Sequence, residues 1–161
     1  MASAQRLQMD YTRPASLDCA IPLDSQYFDD GQVVSVPGLG VSETVARIEL
    51  PAQYCGVLER FAQFTDLQSS HPEEISTPGI IWQILANRQP VFPYHSFSLL
   101  LNPWGVNCFP VCIRLPAAST IEMVVTRREL NTATKKIKYV GGRLLGRFWY
   151  SSAYGESGSG G

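Results

Sequence analysis

A chain of 161 residues suits one domain large enough to bury a real core. Its apolar content is 45% and its charged content 17%, against about 25% charged in an average soluble domain, so either partners cover some surface or a β-rich fold simply carries few Lys and Glu. The net charge of −1 gives no overall attraction to polyanions, and no apolar run approaches the roughly 20 residues of a membrane-spanning helix.

The charges are segregated along the chain. Asp10, Asp18, Asp24, Asp29, Asp30, Glu43, Glu49, Glu59, Asp66, Glu73 and Glu74 precede residue 77, where the only bases are four arginines. From Glu122 onward, Arg127, Arg128, Lys135, Lys136, Lys138, Arg143 and Arg147 outnumber three acids. Such polarity can steer identical subunits head to tail or set a basic rim against an acidic neighbour. It can equally be two solvated faces of one sandwich.

Residues 1–30 carry turn formers and acids (Arg13-Pro14, Ile21-Pro22, Asp29-Asp30-Gly31) without sustained periodicity, and read as an extended arm. Gln32–Val36 is a short strand stopped by Pro37-Gly38. In Val45–Leu50, Ala46, Ile48 and Leu50 share one face while Arg47 and Glu49 take the other. Tyr54–Phe64 has no clean helical stripe; its β-type residues and Gly56 favour a strand, with a helix over Val57–Phe64 as the alternative. Asp66 to Pro78 reads as a polar loop.

Gly79–Ala86 alternates, with Ile80, Trp82, Ile84 and Ala86 on one side, so Trp82 is expected in the core. Asn87-Arg-Gln-Pro90 reads as a turn. Phe97, Leu99 and Leu101 align in the next strand, which Asn102-Pro-Trp-Gly105 closes. Phe109, Val111, Ile113 and Leu115 align in the following one, where Pro110 predicts an edge position or a bulge. Ile121, Met123 and Val125 face inward from Thr120–Thr126, a basic loop spans Arg127 to Lys136, and Ile137–Tyr150 is the closing strand. Its aromatics occupy both faces, which places it centrally or under another subunit.

About eight strands with proline- and glycine-rich turns and no helical alternation define an all-β, antiparallel β-sandwich, most simply an eight-stranded jelly roll. A Greek-key sandwich of the immunoglobulin sort is the alternative, disfavoured because no Cys…Trp…Cys spacing of that kind is present. The expected organisation is an arm over 1–30, the sandwich over 31–151 and a Gly/Ser tail over 152–161.

Catalytic, cofactor and metal signatures are missing. His71 sits in a loop setting, and His95 follows Val91-Phe-Pro-Tyr94. Cys108 and Cys112, four apart on one strand, would lie about 13 Å apart and could not chelate together. Cys19 and Cys55 join no familiar framework. No Gly-x-Ser-x-Gly elbow occurs, and no acid falls between Ser76 and Ile121, so most core strands cannot supply a general acid. Gly38-Leu-Gly40 lacks the Gly-Lys-Ser/Thr ending of a phosphate loop and is a turn. No basic-then-apolar leader opens the chain at Met1-Ala-Ser-Ala-Gln-Arg6, so synthesis in a cytoplasm without a signal peptide is expected, with thiols reduced.

Trp104, at a turn, either caps the end of the sandwich or stands exposed for a sugar ring or a partner's pocket. Arg127, Arg128, Lys135, Lys136 and Lys138 beside Tyr139, with Arg143 and Arg147, are the candidate partner contacts. Nucleic acid is not the expected partner of that short loop, because the total charge is slightly negative.

The series Ala46-Arg-Ile-Glu-Leu-Pro51, Tyr54-Cys-Gly-Val-Leu-Glu-Arg-Phe-Ala-Gln63, Trp82-Gln-Ile-Leu-Ala-Asn-Arg-Gln-Pro-Val91, Leu115-Pro-Ala-Ala-Ser-Thr-Ile-Glu-Met-Val-Val125 and Val140-Gly-Gly-Arg-Leu-Leu-Gly-Arg-Phe-Trp-Tyr150 resembles small jelly-roll proteins of tailed-phage virions. These are head decoration (cement) proteins and collar or neck proteins, and the likeness runs from about Val33 to Tyr150 in strand order and turn wording. The resemblance implies a non-enzymatic structural subunit of the virion, without catalytic residues or cofactors. Its partners would be further copies of itself and other virion proteins of the capsid, portal or tail. A carbohydrate- or receptor-binding module of a spike or fibre is the alternative, with Trp104, Tyr94 and Phe92 lining an exposed platform for a surface glycan.

Overall fold

The computed structural model describes residues 21–69, 79–98 and 108–150. Among them there are ten strands and no helix: β1 (Gln26–Ser35), β2 (Ser42–Glu49), β3 (Tyr54–Thr65), β4 (Gln68–Ser69), β5 (Ile80–Ala86), β6 (Gln89–Pro90), β7 (Phe109–Leu115), β8 (Thr120–Arg127), β9 (Lys135–Lys136) and β10 (Tyr139–Tyr150). One four-stranded sheet runs β1-β10-β3-β7, a second runs β2-β8-β5-β6, and β4 pairs with β9. These strands pair antiparallel.

The order follows from one long folded-back chain. β1 pairs with β10, β2 with β8 and β3 with β7, while β5 pairs with β6. After β6 the chain stays beside β5: Ile84 N donates to Tyr94 O at 2.9 Å, and Trp82 and Phe97 exchange backbone bonds at 2.8 and 3.0 Å. First pairs with last and innermost with innermost, and rolling that hairpin of hairpins gives the two-sheet jelly roll.

Alternation places the core between the sheets. Phe28, Leu58, Phe61, Val111, Leu115, Val140 and Leu144 meet Val45, Ala46, Ile80, Trp82, Ile84, Ile121, Met123 and Val125 there. Each large apolar side chain so buried contributes roughly 1.5–3 kcal/mol. Trp82 is fully buried, and its indole Nε1 donates to Gly141 O at 3.1 Å across the sandwich, satisfying its one polar atom. The aromatics Phe61, Tyr94, Phe97 and Phe109 pack ring on ring, with centroids 5.4–5.9 Å apart.

Two strand starts differ from the sequence reading, and one irregular strand has a local cause. β1 begins at Gln26, inside the segment expected to be an arm, and pairs with β10 along its whole length. Tyr54–Thr65 is a strand throughout, as its β-type residues favoured, and its irregular pattern is a bulge: Leu58 faces Gly146 and Arg60 faces Leu145, leaving Glu59 as the extra residue. The closing strand starts at Tyr139 rather than Ile137, because the short pair of β4 and β9 intervenes.

Pro110 lies on the edge strand β7, beside a register shift against β3, so both of its expected consequences are present. Asn87 and Arg88, with φ of 50° and 65°, make the two-residue turn between β5 and β6.

Candidate interaction face

The outward face of the β1-β10-β3-β7 sheet can be read row by row from its register. Val33, Gly141 and Phe64 form one row, and Gly31, Arg143 and Ala62 the next. Asp29, Leu145, Arg60 and Pro110 follow, then Tyr27, Arg147, Val57 and Arg114. An open groove of about 550 Å³ lies among Asp29, Val33, Phe64 and Arg143, and a neighbouring one of about 620 Å³ among Tyr27, Glu59, Arg60, Leu145 and Arg147. Val33, Phe64 and, one step further along β10, Tyr139 remain exposed.

Two ion pairs clamp β10 to both neighbours on this face. Arg143 Nε donates to Asp29 Oδ1 at 2.6 Å, and Nη2 to Oδ2, so the fork is bidentate. That hydrogen bonding holds the Asp29 carboxyl below its usual value and raises the guanidinium of Arg143. From the other side Glu59, presented by the bulge, takes Arg147 Nε at 2.9 Å and its Nη2. Both side chains of this pair are only 16–17% exposed, and the carboxylate holds the Arg147 charge more firmly. Arg147 also lies 5.6 Å over the Tyr27 ring.

The bases singled out in the sequence do not form one patch. Arg127 donates to Glu129 O (2.9 Å), Asn131 Oδ1 (3.2 Å) and Pro37 O (3.4 Å), tying the loop to the β1–β2 turn. Lys135 is buried and reaches Glu129 Oε2 at 2.8 Å. The backbone N–H groups of Lys138 and Tyr139 donate to Asp66 Oδ1 at 2.9 and 2.8 Å. Arg128, Lys136 and Lys138 are exposed, and make no ion pair among the described residues.

Trp104 and His71 lie outside the described residues. Of the residues read as an aromatic platform, Tyr94 is partly buried and packs edge-on against Phe61 and Phe97. Phe92 is 84% exposed and stacks on His95 with centroids 5.6 Å apart. Burial pushes the Cys55 thiol up, away from the thiolate form a nucleophile needs. No group of three His, Cys, Asp or Glu among the described residues could hold a metal ion, and no helix there is long and apolar enough to cross a membrane.

Two exposed cations of this face escaped the sequence reading: Arg60 and Arg114. Arg114 was legible as the outward residue of an alternating strand. Arg60 was not, because the Glu59 bulge changes the phase just before it.

No protein-family model matches the sequence, and no curated relative matches it. Among solved structures, the fold is similar to a chain of infectious bursal disease virus, Gx strain, at 13% identity over 84% of this chain and 37% of that one, with a TM-score of 0.41. A chain of the T13 particle of the same virus aligns at 14% identity over 84% and 36%, with a TM-score of 0.46. FLHE aligns at 13% identity over 77% of this chain and 96% of its own, with a TM-score of 0.38. The present chain therefore spans little more than a third of the viral chains it matches.

Proposed function

We propose that this chain is a non-enzymatic structural subunit of a virus particle, of the decoration or collar kind, held by repeated contacts between sheet faces and loops. The observation that carries the reading is the contrast between closed edges and an open face. The β2 edge is capped by side chains of β1, the β7 edge carries Pro110 and a bulge, and β6 has only two residues. Strand addition at those three edges is thereby disfavoured, while Val33, Phe64 and Tyr139 leave apolar surface on the open sheet face. Residues 1–20 would serve as the intersubunit arm, and Arg128, Lys136 and Lys138 as contacts to an acidic neighbour. Removing residues 1–20, which leaves Ile21 packed on Val57 and all of β1 in place, should abolish assembly and leave the thermal transition in place; assembly of the truncated chain at wild-type yield would overturn the arm.

A second reading, a glycan-binding module, is favoured by the exposed Phe92 ring stacked on His95. Phe92→Ala would then lose binding on a glycan array without changing the oligomeric state.

A further inference from the structure

With the internal ion pairs accounted for, Arg60 and Arg114 stand out on the β1-β10-β3-β7 face. Both are exposed, and neither has an ion pair or side-chain hydrogen bond among the described residues. Each opens on a groove that also offers an aromatic ring. Arg60 lines the groove of about 620 Å³ with Tyr27, whose ring is 77% exposed. Arg114 lines one of about 230 Å³ with Val57 and the half-buried Trp149.

Tyr27, Arg147, Val57 and Arg114 share one row across the four strands, which spans about 14 Å at ordinary strand spacing. Arg60 lies one row along, about 7 Å by strand rise. Four arginines of this face meet only two carboxylates, Asp29 and Glu59, and both are spent on Arg143 and Arg147.

We propose that this face binds single-stranded nucleic acid, with the free guanidiniums of Arg60 and Arg114 on backbone phosphates and Tyr27 and Trp149 stacking on bases. Unneutralised arginine forks match phosphate oxygens. Rings interleaved with cations are the chemistry of sequence-tolerant single-strand binding. An acidic polypeptide would use the charges but leave the rings idle, and a duplex hides its base faces. The proposal stands apart from the particle-subunit reading, because binding and assembly are measured separately.

The test is fluorescence anisotropy of a labelled oligodeoxythymidylate with the full chain, titrated at several salt concentrations. Arg60→Ala/Arg114→Ala should weaken binding at least about tenfold and reduce the salt slope by about 1.4, since each single-strand phosphate contact carries about 0.7. Tyr27→Ala, at a ring that is 77% exposed and outside the buried core, should weaken it about fivefold or more, with an unchanged thermal transition as the control for its contact with Arg147. Lys136→Ala/Lys138→Ala probes the competing basic loop, and should change affinity less than about twofold. The proposal fails if the wild-type chain does not bind, or if the loop variant carries the loss. It also fails if polyglutamate of equal charge binds as tightly and Tyr27→Ala has no effect, which would mark docking of an acidic peptide.

Discussion

The carboxylate of Asp30 accepts the backbone N–H of Arg47 at 2.7 Å, joining the edge of one sheet to the edge of the other. Two residues along, Gln32 Nε2 donates to Thr44 O at 3.1 Å, so inward-pointing polar side chains of β1 occupy groups that β2 would otherwise offer to a foreign strand. Asp30→Ala should cost about 1 kcal/mol and free the Arg47 amide. The check is amide exchange at Arg47 together with the soluble aggregate fraction; unchanged protection of that amide would show that the contact does not seal the edge.

Gly142 and Gly146 lie on the inward side of β10 for different reasons. A Cβ at Gly142 would meet Met123 Sδ, in a flexible side chain, and, at 2.7 Å, Val45 Cγ2, in a stiffer branched one, but its nearest neighbours are side-chain and not backbone atoms. At Gly146 it would meet the Val57 carbonyl oxygen and the Phe28 ring, which packs over that glycine from the neighbouring strand. Overpacking costs about 1–3 kcal/mol, so Gly142→Ala should fall at the lower end and Gly146→Ala at or beyond the upper. Urea midpoints would rank them, and the reverse order would refute this account of the close approach.

Trp82→Phe keeps most of the buried ring but removes the donor to Gly141 O. The loss of that bond, with a smaller ring left in the cavity, should cost about 1–3 kcal/mol. Denaturant unfolding measures it, and an unchanged midpoint would mean the indole bond adds nothing.

The Asp29–Arg143 pair has a pH signature with a definite sign. Its folded carboxyl titrates below the ordinary aspartate value of 3.8, so its contribution is present above that value and is lost as pH falls through the lowered folded value. Stability should therefore decline below about pH 4, and Asp29→Asn should flatten that part of the profile. Urea midpoints at pH 7, 4 and 3 for both proteins would settle it; parallel profiles would exclude the pair as a source.

The fold was legible wherever one side of a strand is simply buried, as in Ile80–Ala86 and Thr120–Arg127, whose alternating side chains reach the core as read. It was illegible where the phase slips. The extra Glu59 leaves Leu58 and Phe61 both fully buried three residues apart, which imitates a helical spacing. The start of β1 was masked by composition, because Asp29-Asp30-Gly31 reads as a turn, whereas those acids serve as a clamp and an edge cap. The candidate face was only partly legible: sequence finds Arg143 and Arg147, but not the carboxylates, distant in the chain, that neutralise them. A charge count along the chain cannot tell a paired arginine from a free one.

The central claim, that this chain is an assembling structural subunit, is tested most directly by light scattering of the purified full chain over a wide concentration range. The account predicts a discrete species whose mass is a whole multiple of the 17.8 kDa chain. A monomer at every concentration would contradict it.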